Sequence, residues 1–340
     1  TWALMLTGQL LDNDQPGVTR QLRGMVKRLG EPVIRSAVSR AMREMGRQFV
    51  LGESIEAALK RAQSLEKRGY TYSYDMLGEA ARSAAAAEQY FHAYQQAIEA
   101  IGKAAAHASA TDNPGISVKL SALHPRYELA QRSRVLAELT PRVITLARAA
   151  ARYGLGFNID AEESDRLALS LEVAEQILRD PTLADWDGFG MVVQAYGQRA
   201  SEAVDWLYQQ AKALDRRLTL RLVKGAYWDT EIKRAQTLGV DGFPVFTRKA
   251  ASDVNYLAVS RQLLGMTDRI YPQFATHNAH SVTAIQTMAQ ALSVPVSAYE
   301  FQRLHGMGER LHDIVRERHG TRCRIYAPVG KHRDLLAYLV

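Results

Sequence analysis

The hydrophobic pattern changes rhythm near residue 70. Before it the spacing is helical: in the segment 31–45, Val33, Ile34, Val38, Ala41 and Met45 fall on one stripe with no strand alternation. Ser54 is placed to cap a further helix whose run ends at Gly69, a residue suited to the position just past a helix. Residues 1–69 therefore read as a helical arm. From residue 70 onward, short β-type runs alternate with long helical ones. The runs are 70–76, 116–120, 156–160, 191–195, 218–223, 272–276, 299–304 and 323–329. Between them lie Ala-, Leu-, Arg- and Glu-rich stretches such as 84–106, 132–152, 165–179, 200–214 and 282–292. Eight strands alternating with helices over 70–340 predict an α/β protein, a (β/α)8 TIM-type barrel following the arm. A doubly wound dinucleotide-binding sheet would need a G-x-G-x-x-G turn after a strand, and none is found. The stretch 227–269 is longer than the other connections and predicts an extra helix or a cofactor-binding excursion.

Composition narrows the class little. The 340 residues are 47% hydrophobic and 23% charged, as in ordinary globular proteins. No apolar run reaches the roughly 18 residues of a membrane span. The start, 1–8, is apolar but has no basic leader or clear cleavage site, so it is not read as a signal peptide; the missing initiator Met suggests a fragment or a processed chain. One cysteine, Cys323, excludes an internal disulfide or a cysteine-based metal site and fits a reducing, cytoplasmic compartment. The net charge of +7 is spread along the chain among Asp and Glu, which favours a mildly basic surface over a nucleic-acid face. Anionic lipids or an anionic cofactor are the sharper readings.

In such barrels the active site lies at the C-terminal strand ends. Every proposed strand delivers a polar side chain there: Asp75 with Glu79 beyond it, Lys119, Asp160 with Glu162, Gln194, Arg221 with Lys224, Thr276 with His277 and Asn278, Gln302 with Arg303, and Tyr326. Lys119 suits a carboxylate anchor, a Schiff-base nucleophile or a plain ion pair with Asp160. Asp160 and Glu162, two apart, would share a strand face. They read as an acid–base pair or as partners of Arg221 and Lys224. Arg221 sits in an apolar strand, where its fork must meet phosphate, carboxylate or an electron-rich ring. His277 and His280 lack further ligands, so no metal is assigned. Gly225 admits close backbone approach, and Tyr227 and Trp228 could wall a flat ring.

Several segments resemble hallmarks of the proline dehydrogenase family: 72–79 (YSYDMLGE), 117–124 (SVKLSALH), 159–163 (IDAEE), 221–228 (RLVKGAYW), 271–278 (YPQFATHN), 299–308 (YEFQRLHGMG) and 324–330 (RIYAPVG). The likeness covers essentially the whole chain and extends to bifunctional bacterial proline utilisation proteins, in which an aldehyde dehydrogenase module follows. It implies a barrel holding FAD non-covalently. L-proline would be oxidised to pyrroline-5-carboxylate, and electrons passed to a membrane quinone from the inner face of the cell membrane. By position, Lys119 would hold the proline carboxylate. Asp160 would sit beside proline and flavin, and Arg221 beside the flavin ring. Leu222, Tyr227, Tyr326 and Tyr338 would wall the proline ring. Gln194, Val223, Lys224, Gly225, Ala226, Tyr227, Trp228, Thr247, Arg248, Lys249, Thr276, His277, Asn278, Gln302 and Arg303 would contact FAD. DNA-binding modules of such relatives are expected ahead of this region, so no nucleic acid is assigned to this chain.

The family places two consecutive arginines in the eighth helix to clamp the substrate carboxylate. Here the sequence stops at Val340, just before them, and Glu79 would lose its gate partner. A molecule ending there is expected to turn over proline weakly or not at all. The competing enzyme reading is an aldolase-type barrel using Lys119 as its Schiff-base lysine.

Overall fold

The computed structural model describes residue 46 and residues 48–331. The stripe Val33–Met45, Tyr338 and the eighth barrel helix lie outside the described residues. Eight parallel strands close into a barrel in sequence order: β1 (Thr71–Met76), β2 (Gly115–Val118), β3 (Gly156–Ile159), β4 (Phe189–Gln194), β5 (Leu218–Val223), β6 (Ile270–Ala275), β7 (Glu300–Leu304) and β8 (Arg322–Val329), with β8 pairing back onto β1. The expected (β/α)8 barrel is the architecture found.

Local chemistry explains the elements. Ser54 caps the helix Ile55–Glu66, its hydroxyl accepting from Ala57 N, and Gly69 takes φ +81 soon after that helix. Ser83 caps Ala84–Ala104 in the same way. Two helices, Trp228–Leu238 and Lys249–Leu264, fill the long connection after β5. The helix Glu309–His319 is absent from the sequence-derived stretches because it buries only His312 and Val315 and so shows little apolar stripe.

Strand alternation sorts the side chains into two layers. Outward-facing Val118, Ile159, Leu222, Phe274, Phe301 and Cys323 are almost fully buried against the helices. Removing each bulky apolar side chain from water contributes about 1.5–3 kcal/mol. The inner layer is polar. Low in the barrel, Glu300 accepts from Arg324 Nε at 2.7 Å, Gln273 Nε2 at 2.9 Å and Gln302 Nε2 at 2.9 Å. Asn158 donates to Gln273 Oε1 at 3.2 Å and to Thr219 Oγ1 at 3.4 Å. Gly190 leaves room for this network, since a Cβ there would meet Thr219 Oγ1 at 2.0 Å. Gln302 Oε1 apart, these groups satisfy one another, which is the condition for polar atoms to be tolerated away from water.

Candidate active site

Three strands bring oxygen acceptors to one ammonium group. Lys119 follows β2, and its Nζ donates to Asp75 Oδ1 at 2.9 Å, to Asp160 Oδ2 at 3.3 Å and to the Tyr326 hydroxyl at 3.4 Å. The Tyr326 hydroxyl donates to Asp160 Oδ2 at 2.7 Å. Arg221, inside β5, donates to Asp160 Oδ1 at 3.0 Å, to Ser117 Oγ at 2.9 Å and to Ser73 Oγ at 3.0 Å. The helix Ala84–Ala104 reaches in from outside: the Tyr94 hydroxyl accepts from Lys119 N at 3.2 Å and fixes the strand end.

Electrostatics separate the roles open to Lys119. Burial by itself would lower its pKa, but Asp75, Tyr326 and Asp160 reverse the effect and hold it well above the ordinary lysine value. A Schiff-base nucleophile must be a neutral amine. The aldolase-type reading therefore lacks its nucleophile, and Lys119 is a fixed cation suited to a carboxylate. Burial pushes the Asp75 carboxyl above its usual range, against the opposing pull of Lys119 and with help from Asp160. Glu79 is likewise raised by burial, and its carboxylate lies 3.5 Å from the Tyr227 hydroxyl across the barrel mouth.

Other expected residues line the same rim. Gln194 joins two loops, donating to Glu162 O at 2.8 Å and accepting from Ala226 N at 3.2 Å. Val223 ends β5 and Lys224 pairs with Asp253. Gly225, at φ +139, lies so close to the Tyr196 ring that a Cβ would approach it to 2.4 Å. Trp228 Nε1 donates to Phe246 O at 2.9 Å, placing it beside Thr247 and Arg248 at the start of Lys249–Leu264, where Lys249 pairs with Asp253. After β6, Thr276 Oγ1 accepts from Asn278 N at 3.1 Å, Asn278 caps Ala279–Ala291, and His277 Nε2 accepts from Leu304 N at 2.9 Å. Gln302 points into the barrel toward Glu300.

Three residues lie otherwise than their strand positions suggested. Leu222 lies on the face of β5 opposite Arg221, in the apolar layer under the helices. Arg303 alternates with Gln302 and turns outward, its guanidinium 5.2 Å from the Tyr70 ring centre and bonded to Leu304 O and Met307 O. Asp160 and Glu162 do not form a pair, because β3 ends at Ile159. Glu162 instead accepts from Ser121 N at 3.0 Å and Arg166 Nη1 at 2.7 Å. Ser73 and Ser117, each two residues before a rim charge on the same strand face, are partners of Arg221 that the sequence does not single out. Asp75 was visible at its strand end but was given no role.

Among the described residues no group of three or more His, Cys, Asp or Glu could hold a metal ion, and no helix is long and apolar enough to cross a membrane.

Comparison with known proteins places this geometry. Residues 58–340 match the family model described as "Proline dehydrogenase". Residues 1–49 match the model described as "DNA-binding domain of Proline dehydrogenase", a match not foreseen by a sequence reading that assigned no nucleic acid to this chain. The Bifunctional protein PutA of Escherichia coli (strain K12) is 52% identical over 346 residues, covering 100% of this chain and 26% of that protein. The chain thus spans about a quarter of the length of the bifunctional relatives it matches. The proline dehydrogenase of Deinococcus radiodurans is 28% identical over 307 residues, covering 90% of this chain and 88% of that one. Among solved structures, a mutant of Bradyrhizobium japonicum Proline Utilization A is 54% identical with a TM-score of 0.81, covering 96% of this chain and 34% of that one. Proline utilization A from Bdellovibrio bacteriovorus, inactivated by N-propargylglycine, is 31% identical with a TM-score of 0.85, covering 90% of this chain and 33% of that one. Barrel, strand-end residues and family match agree over the same span, and the chain belongs to the proline dehydrogenase family.

Proposed function

We propose that this barrel oxidises L-proline to pyrroline-5-carboxylate with FAD as its cofactor. The observation that carries the reading is the charged Lys119 held at the barrel mouth by Asp75, Asp160 and Tyr326, one layer above Arg221. The residues fit a flavin. Arg221 Nε and Gln302 Oε1 are buried inside the barrel without a partner, a donor and an acceptor of the kind a flavin edge complements. Two helix N-termini, at Lys249 and Ala279, stand on the same rim beside Thr247, Arg248, Thr276, His277 and Asn278, and such termini favour a pyrophosphate. Gln194 and the backbone from Val223 to Trp228 complete the wall. Bound FAD supplies the hydride acceptor.

The chain's own groups do the rest. Lys119 pairs with the substrate carboxylate and fixes the ring's position, which removes orientational freedom before reaction. Tyr227 and Tyr326 wall the ring. Asp160, receiving from Tyr326, Arg221 and Lys119, stands beside the ring nitrogen. Arg221 places positive charge where negative charge develops, and does so without reorganising. Electrons then pass to a quinone at the inner face of the cell membrane, with the protein peripheral there. An aldehyde dehydrogenase module in the parent polypeptide would take the product onward; the bifunctional names of the relatives support this reading.

The visible absorbance of the purified protein, before and after anaerobic proline, tests the proposal. An oxidised-flavin spectrum that bleaches supports it. Failure to hold FAD overturns it. The match over 1–49 supports a second reading, nucleic-acid contact by the segment ahead of the barrel. A salt-dependent shift of duplex DNA that disappears when residues 1–49 are removed would support that one.

A further inference from the structure

Arg221 is held by a closed ring of hydrogen bonds. Its Nη1 donates to Ser117 Oγ at 2.9 Å and its Nη2 to Ser73 Oγ at 3.0 Å, and the two hydroxyls lie 3.1 Å apart, within hydrogen-bond distance of each other. Neither hydroxyl can turn away without breaking the other's contact. Ser73 belongs to β1 and Ser117 to β2, so a side chain rooted in β5 is gripped at its tip from the far wall of the closed barrel. Both serines are buried, at 1% and 0% exposure. The grip is uneven. Nη1 also donates to Asp160 Oδ1 at 3.0 Å, whereas Ser73 is the partner that the described residues give to Nη2. Nε has no partner among the described residues, so the fork is tied by its two terminal nitrogens and Nε is left to the flavin edge. The chemistry of the acceptors matters as much as their places. A carboxylate would fix the fork but offset its charge, while a hydroxyl accepts the bond and leaves the positive charge standing. Asp160 supplies the counter-charge bonded to the fork, and the serines add none.

We infer that Ser73 and Ser117 are positioning residues that set the reduction potential of the flavin through Arg221, with Ser73 the more important of the two. This rests on the flavin-site reading above. A guanidinium stabilises the negative charge that a flavin gains on reduction by an amount that falls with distance. Tied at both ends of its fork, Arg221 offers its charge at one place without reorganising. With the Ser73 hydroxyl gone, Nη2 becomes a buried donor without its acceptor, and a long, flexible side chain turns to find another. The charge then leaves the place where it is needed, although no charged residue has been changed. Lys119 uses its three N–H donors on Asp75, Asp160 and Tyr326, so the anchor for the substrate carboxylate does not depend on the serines.

The test is a redox titration of the FAD-loaded protein against a reference dye at fixed pH, without proline, so that the substrate's own charges do not enter. Ser73→Ala should lower the midpoint potential by about 30 mV, equivalent to about a tenfold loss in the two-electron equilibrium. Ser117→Ala should lower it by less, because Nη1 keeps Asp160. The rate at which proline reduces the flavin anaerobically should fall with the potential, while KM for proline stays near that of wild type. In an Arg221→Lys background, Ser73→Ala should shift the potential by less than it does alone, since the fork it steadies is gone. Wild-type potential in both serine variants overturns the inference and leaves the flavin reading intact. So does a larger drop in Ser117→Ala than in Ser73→Ala, or a drop of equal size in the Arg221→Lys background. If Ser73→Ala does not fold with FAD, Ser117→Ala and its double variant with Arg221→Lys carry the same test. Wild-type protein that holds FAD but is not bleached by proline overturns the substrate reading and not this one; protein that holds no FAD overturns both.

Discussion

Arg221 and Tyr326 enter the barrel from opposite sides and meet over one carboxylate: the guanidinium carbon lies 5.0 Å from the tyrosine ring centre, and both side chains donate to Asp160. The arginine also ties Ser73 and Ser117. Arg221→Ala would leave a buried carboxylate short of its counter-charge, a change that typically costs about 3–5 kcal/mol. Urea unfolding should read that loss, with weaker retention of FAD on gel filtration. Arg221→Lys should fall between the two, because an ammonium cannot reproduce the fork that reaches three oxygens. Wild-type stability in the alanine variant would remove Arg221 as the keystone of this layer.

Lys119→Met keeps the stem and removes the charge. A hydrogen bond to a charged group is worth about 1.5–3 kcal/mol, so KM for proline should rise roughly 10- to 100-fold. The flavin spectrum of the variant should stay normal. Borohydride with a carbonyl compound should trap nothing on the wild-type lysine; a stable adduct at Lys119 would restore the aldolase-type reading.

Glu300 and Arg324 form a pair buried at 0% and 3% exposure, below the site. Glu300→Ala should destabilise the fold by about 3–5 kcal/mol in urea unfolding. Folded variant protein should nevertheless keep a KM for proline near wild type. A large KM change at unchanged stability would mean that the floor of the barrel communicates with its mouth.

His305 and His312 are held neutral. Burial first, then Arg61 and Arg303 for His305, and burial with His277 and Arg303 for His312, lower each to about 4 from 6.5. An unfolded chain takes up protons on these histidines as pH drops below about 6.5, while the folded one does not until about 4. Their contribution is therefore intact above pH 6.5 and is lost progressively as pH falls toward 4. Thermal midpoints at pH 7, 5.5 and 4 should fall in that order, and His312→Gln should show a shallower slope. An unchanged slope would exclude His312 as a contributor.

The barrel was legible because alternating apolar runs and long helical stretches each carry their own period, and all eight strands fall within a few residues of their expected places. The site was legible in part. Charges at strand ends must face a polar interior, which picks out Lys119, Asp160 and Arg221. What periodicity cannot locate is the residue where a strand stops. Glu162 would share the face of Asp160 only if the extended chain ran on beyond it, and β3 stops at Ile159. Gln302 and Arg303 are neighbours on one strand, so only one of them can face inward, and pattern alone does not say which. Ser73 and Ser117 went unnoticed because a small hydroxyl carries no signal until the arginine it serves has been placed. The polar helix Glu309–His319 escaped for the opposite reason: it packs with almost no hydrophobic face.

Arg324 belongs to the final strand, yet its guanidinium donates to the carbonyls of Thr111, Asn113 and Tyr72 near the first two. For a chain emerging from the ribosome, this stitching cannot begin until the first seven strands of the barrel have been synthesised. Until then β1 has a bare edge, β7 once made has another, and Glu300 has no cation to meet it. Unpaired edges of that kind invite pairing with other chains. Nascent chains halted before residue 324 should therefore be recovered with chaperones or in aggregates, not as seven-stranded half-barrels.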